Sequence, residues 1–229
     1  PEFNPLDPDI KMKDFLRSEE LTKDYKDSIL RITDDYTRRR SLNFTNVRKT
    51  PGQNKKKSHF YDVENLAFTY SYTQLYKRDV NTEIDKLETY RGAINYSFSV
   101  KAKNIEPFKN SEFLKKRSYL KLIKDINFNP SINQISIQNG FDRSYHERQA
   151  RNISNFGNSA FVFESPAFYQ KSFNWSRIYT LRYNPTKSIT FNFNATNLAL
   201  ISEPAGRVDR REEENYDRFK SEVWESIKG

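Results

Sequence analysis

Cysteine is absent from all 229 residues, which removes disulfides and thiolate metal sites together. Only two histidines are present, His59 and His146. With no HExxH pair and no phosphate-cradling glycine loop, zinc, haem and nucleotide chemistry have no residues to stand on. A hydrolase needs a nucleophile, a base and an orienting acid close together; no GxSxG elbow occurs and no such trio can be assembled. The sequence therefore predicts no enzyme, no cofactor, no metal and no catalytic residue. Asp79, Asn81, Glu83 and Asp85 alternate as in a calcium loop, but Ile84 stands where the tight-turn glycine belongs, and a solvated loop is the simpler expectation. No run approaches the ~20 apolar residues of a membrane-crossing helix. With a mean hydropathy of -0.93, a helical membrane protein is excluded.

What the chain has instead is alternation. Leu66, Phe68, Tyr70 and Tyr72 interleave with Asn65, Ala67, Thr69, Ser71 and Thr73. Tyr90, Ile94, Tyr96, Phe98 and Val100 interleave with Arg91, Ala93, Asn95, Ser97 and Ser99. Period two places such residues on opposite faces of a β-strand. Segments of about ten residues with one aromatic rail and one rail of uncharged polar side chains suit a wall between lipid and a watery lumen. The fold class expected is all-β: antiparallel up-and-down transmembrane strands forming an arc of a very large outer-membrane barrel, with short helical segments in connections and at the C-terminus.

Along the chain, 1–35 reads as a charged connecting segment with a short helix after Ser18, on which Leu21, Tyr25, Ile29 and Ile32 fall near helical spacing. Residues 36–201 read as the wall, about six strands of it, with an amphipathic interfacial segment at 102–125. The strands are expected near 42–45, 59–73, 89–100, 135–145, 173–183 and 189–196. Between them, 48–58, 74–88 and 146–159 read as polar loops, Asn129–Pro130 as a turn and Asn184–Ser188 as a hairpin turn. Residues 202–229 read as a loop and an amphipathic helix, with Asp209 as its cap and Tyr216, Phe219, Val223 and Ile227 on one face. If Asn184–Ser188 is periplasmic, parity puts 74–88 and 146–172 outside, on the side of long loops. The chain begins without Met or a signal core and is expected to be a piece of a longer protein.

The lumen-facing candidates are Asn65, Thr69, Ser71, Asn95, Ser97, Asn192 and Asn194. The lipid- or partner-facing candidates are Phe68, Tyr70, Tyr96, Phe98, Trp175, Arg177, Phe191 and Phe193. Arg177, Asn139 and Asn197 interrupt the apolar rails, and a lipid-facing Arg at mid-depth costs about 2–4 kcal/mol. Arg177 is therefore expected near an interface, beside a bulge or under a partner protein. The net charge of +9 and the clusters Arg38–Arg40 beside Phe44 and Lys55–Lys57 beside Phe60 could track a nucleic-acid backbone. Because most aromatics share one strand face, no nucleic-acid partner is expected.

The run Arg38-Arg39-Arg40-Ser41-Leu42-Asn43-Phe44-Thr45-Asn46-Val47-Arg48-Lys49 resembles the SprA (Sov) family of cell-surface proteins, the giant outer-membrane channel of type IX secretion in gliding and secreting Bacteroidota. Tyr61-Asp62-Val63-Glu64-Asn65, Ile105-Glu106-Pro107-Phe108-Lys109-Asn110, Leu122-Ile123-Lys124-Asp125, Ser202-Glu203-Pro204 and Gly206-Arg207 follow in the family's order. The resemblance implies a segment of a wide barrel in the outer membrane of a Gram-negative cell. Such a barrel passes folded, signal-bearing client proteins to the surface and supports gliding motility. The partners implied are those secreted clients, a PorV-type companion barrel, a plug protein and outer-membrane lipid. The rival expectation is a soluble β-sandwich binding module for surface glycans or proteins, with its aromatics in a two-layer core.

Overall fold

The structure, a computed structural model, describes residues 2–4, 7–19, 21–52, 59–101, 103–109, 125–152, 164–208 and 213–228. The interfacial segment expected at 102–125 and the capping residue Asp209 fall largely or wholly outside these, as do Lys55–Lys57. The chain opens with a small two-stranded sheet, β1 (Phe3–Asn4) and β2 (Asp7–Lys11), followed by helices α1 (Met12–Arg17) and α2 (Lys23–Thr33). The periodicity at Tyr25 and Ile29 foretold α2, on which Ile29 is buried. The β1–β2 ribbon carried no alternation and was not expected.

Six strands then form a single antiparallel sheet in chain order: β3 (Tyr36–Val47), β4 (Leu66–Arg78), β5 (Thr82–Ser99), β6 (Gln134–Ala150), β7 (Ala167–Tyr183) and β8 (Phe191–Leu200). The sheet is open, with β3 and β8 as its edges. A last helix, α3 (Glu213–Lys228), follows. The molecule is mostly β, as the alternation required. Among the described residues no helix is long and apolar enough to cross a membrane, which bears on helices alone.

The strands are longer than their alternating cores. β5 has 18 residues and β6 and β7 have 17 each, whereas about 9–11 tilted residues cross a bilayer. Residues 74–88, expected as a loop, are the ends of β4 and β5 joined by a tight turn at Asp79–Asn81, and 146–150 and 167–172 belong to β6 and β7. The physical reason is that ladder hydrogen bonds join backbones and do not require an apolar face. The cross-strand pair of Gln74 with Glu88 (2.8 Å) helps hold the polar ends together, and Lys86 on the same strand as Glu88 neutralises its carboxylate at 3.0 Å. Asp79 makes the turn: its backbone exchanges hydrogen bonds with Thr82, and its carboxylate accepts from the Asn81 and Thr82 amides at 2.9 and 2.8 Å.

This removes the loop-length argument for orientation. Connections at one end of the sheet are 79–81 and 151–166; at the other they are 48–65, 100–133 and 184–190.

The start of β4 is a second correction. Residues 59–65 are a turn and a single 3-10 turn (Val63–Asn65), because the Asp62 carboxylate accepts from the His59 amide at 2.6 Å and the Asn65 side chain donates to the His59 carbonyl at 2.7 Å. Such local side-chain bonds compete with the ladder and win at its end. β3 carries a bulge between Phe44 and Val47, where Asn46 takes φ 52°, a conformation asparagine tolerates.

Candidate functional site

Residues opposite one another in an antiparallel ladder point to the same side, so the register fixes the two faces. One row runs Phe44, Tyr70, Gly92, Phe141, Trp175 and Ala199 across all six strands. Parallel rows carry Leu66, Tyr96, Ile137, Tyr179 and Ala195, then Phe98, Ile135, Leu181 and Phe193. All eight lipid- or partner-facing candidates lie on this apolar face. Thr69, Ser71, Asn95, Ser97, Asn192 and Asn194 share the opposite, polar one. Asn65 does not, because it sits in the 3-10 turn ahead of the strand. From Tyr90 to Phe98 the apolar band runs about 26 Å along the strand, or about 20 Å in height at a tilt of ~40°.

The aromatic rails are not uniformly exposed. Phe68, Phe191 and Phe193 are 45%, 54% and 49% exposed, while Trp175 is 6% exposed. Trp175 stacks on Phe141 with centroids 5.5 Å apart, and the Arg177 guanidinium lies 4.0 Å from its ring. The polar face has its own exceptions in Phe168, Ile178, Leu198 and Leu200.

Arg177 has no bulge beside it, because neither ladder of β7 shifts register there. Instead the fold lines up Asn139, Arg177 and Asn197 in one row. An Arg177 Nη donates to the Asn197 side-chain oxygen Oδ1 at 3.4 Å, while its Nε is buried with no acceptor among the described residues. Three interruptions separate in sequence thus become one polar bar across the apolar band.

At the 79–81 end of the sheet the apolar face turns charged. After β8 the chain folds back over it. Ile201 is buried and its amide donates to the Phe173 carbonyl at 2.8 Å. Glu203 receives two 2.6 Å hydrogen bonds from Arg143, with the carboxylate 1% and the guanidinium 19% exposed. Lys171 donates to the Pro204 carbonyl at 2.5 Å, and Arg207 pairs with Glu147 at 2.5 Å. The Glu147 carboxylate raises the pKa of Arg207 further above its ordinary value. Gly206 bends the strap at φ +81°, where a side chain would be strained. A cleft of about 530 Å³ remains beneath it, lined by Tyr76, Lys86, Glu88, Tyr145 and Arg207 among others.

Helix α3 follows the strap onto the same face. Phe219 lies 6.3 Å from the Phe173 ring, and Arg143 lies 4.8 Å from Phe219. Beside it a groove of about 500 Å³ opens over Gly92, between Tyr70, Phe141, Val223 and Trp224. Arg143, Glu147, Glu203 and Arg207 were missed as a set by sequence reasoning. Partners sixty residues apart leave no local signal.

At the opposite end, Ile105 and Phe128 form a bridge and Glu106 pairs with Lys187 and, at 3.0 Å, with Lys109. Hydrogen bonds from Lys187 and Lys109 lower the Glu106 pKa to about 2. Burial alone would push Asp79 up, but donors from Thr82, Asn81 and Lys77 hold it below the usual carboxylate range. Asp79, Asn81, Glu83 and Asp85 spread along a turn and a strand. No group of metal-ligating side chains occurs among the described residues. His146 bonds Asp85 at 2.7 Å, and His59 lies 3.9 Å from Asp62.

Neither the protein-family models nor the curated proteins contain a match to this chain.

Proposed function

We propose that this chain is an arc of the wall of an outer-membrane protein-translocation channel, of the type IX secretion kind that the sequence resembles. In this role it carries no reaction and no cofactor. Its apolar face borders lipid or a neighbouring barrel, its Asn, Ser and Thr face borders the lumen, and secreted clients slide past side chains that hold water without strong fields.

The observation that carries this reading is the open six-stranded sheet whose register sorts the aromatic rails onto one face and the amide and hydroxyl rails onto the other. Six strands cannot close around a protein-sized pore, so more strands would complete the ring at the β3 and β8 edges. The strap and α3 cover part of the apolar face at one end and would sit where a companion barrel, a plug protein or a headgroup layer meets the wall. The Asn139–Arg177–Asn197 bar is a further place for a protein partner, since a polar row is costly against hydrocarbon.

A soluble sandwich would need a second sheet over the aromatic face; the six long strands form one sheet, and over its aromatic face lie the strap, α3 and the ends of two connections, where Tyr96 and Tyr183 donate to the Phe60 and Asn129 carbonyls.

Refolding the chain with and without detergent or lipid tests the proposal. The expected result is a species that stays monodisperse only with detergent and that floats with phosphatidylcholine vesicles. A compact, water-soluble monomer that ignores vesicles would overturn it in favour of the sandwich.

A further inference from the structure

We propose that Arg38, Arg40 and Arg78 form a binding site for the phosphate of an anionic lipid headgroup at the rim of the apolar band, an inference that rests on the membrane-wall reading. The register places all three side chains on the apolar face: Arg40 opposite Gln74, Arg38 opposite Tyr76, and Arg78 opposite Tyr36. They follow directly on the row of Leu42, Tyr72 and Tyr90, where the hydrocarbon-facing side chains end. Counted from that row, they stand about 7, 13 and 20 Å further along the strands. At barrel tilt this is roughly 5, 10 and 15 Å in height, within reach of a headgroup layer about 5–7 Å thick once arginine stems bend back.

Charge distinguishes this corner from the rest of the same end. Elsewhere at this end the cations have oxygen partners: Lys86 of β5 has Glu88, Arg143 of β6 has Glu203, Lys171 of β7 donates to the Pro204 carbonyl, and Arg207 of the strap pairs with Glu147. Arg38, Arg40 and Arg78 form no ion pair among the described residues. Two of them are held in place by aromatic rings. The Arg38 guanidinium lies 5.6 Å from the Tyr76 ring and that of Arg78 5.0 Å from the Tyr36 ring, while the two rings meet edge-on at 6.2 Å. The Nε atoms of both are covered and have no acceptor, so the remaining guanidinium N–H groups must supply any bonding to an anion. Guanidinium forks pre-set by stacking match the oxygens of a phosphate, and tyrosines beside them suit the membrane interface.

The test compares the full chain refolded into vesicles of phosphatidylcholine alone and of phosphatidylcholine with phosphatidylglycerol. The lipid retained through extraction into mild detergent is then measured by native mass spectrometry. Wild type should keep phosphatidylglycerol in preference to phosphatidylcholine, and R38Q/R40Q/R78Q should lose that preference by about tenfold or more. R38K/R40K/R78K should keep part of it. R39Q, on the other face of β3, should keep all of it. Equal retention by the triple glutamine variant, or full displacement of the lipid by millimolar inorganic phosphate, would overturn the site while leaving the wall intact. Failure of the wild type to enter phosphatidylcholine vesicles would instead overturn the membrane reading beneath it.

Discussion

Arg143 and Glu203 show how a charged pair can fasten a strap. Taking one partner away leaves the other buried without compensation, which costs about 3–5 kcal/mol, more than most surface pairs are worth. E203A should therefore lower the urea midpoint and make the amides of residues 213–228 exchange with solvent ahead of the sheet; unchanged exchange would show that α3 holds without the strap. Arg177 argues the other way. Its guanidinium rests on Trp175 and reaches one oxygen of Asn197, so its removal breaks little. If hydrocarbon surrounds it, R177L should stabilise the folded wall in phospholipid by about 2 kcal/mol or more, read from urea unfolding in vesicles. A loss of stability would show that hydrocarbon does not surround that bar. Sequence alone flagged Arg177, Asn139 and Asn197 by their position in the alternation, but their meeting in one row depends on register.

At the scale of elements, the connections carry the specific chemistry and the strands the general one. Three connections make this plain. Asp62 and Asn65 build the turn before β4, Glu106 ties the 100–133 connection to Lys187 beside β8, and Glu203 with Arg207 fixes the strap. The Glu106 tie is sensitive to acid. Because its pKa falls from 4.5 to about 2 in the folded chain, the stabilisation it provides is complete above pH 4.5 and is lost as the pH falls toward 2. The protection of the Ile105 and Phe128 amides, taken relative to the intrinsic exchange rate at each pH, should fall across that window in the wild type; in E106Q it should be low already at pH 7 and change little with acid. The ends of β4 and β5 were illegible for a related reason: where both faces are polar, period two disappears from the text although the ladder continues.

For the whole molecule, a spanning wall makes a geometric demand. The 79–81 turn and the 184–190 connection lie at opposite ends of the sheet, so they should lie on opposite sides of a membrane. The lack of native cysteine makes this testable with single substitutions. N81C and T186C should take up a membrane-impermeant maleimide from opposite sides of sealed vesicles. Labelling of both from one side would be incompatible with a membrane-crossing sheet.

The sequence by itself determined that this is a β-protein with two unlike faces, because side-chain alternation is imposed by backbone geometry and needs no knowledge of partners. It also placed α2 and α3, whose periodicity is equally local. Only the tertiary structure decided the strand ends, the polar bar at Arg177, the arginine corner of β3 and β4, and the folding of 201–208 and α3 back onto the aromatic face. Each of these depends on which residues the register and the long connections bring together. That information lies in pairings between distant segments, where a side chain's neighbours in sequence have no part.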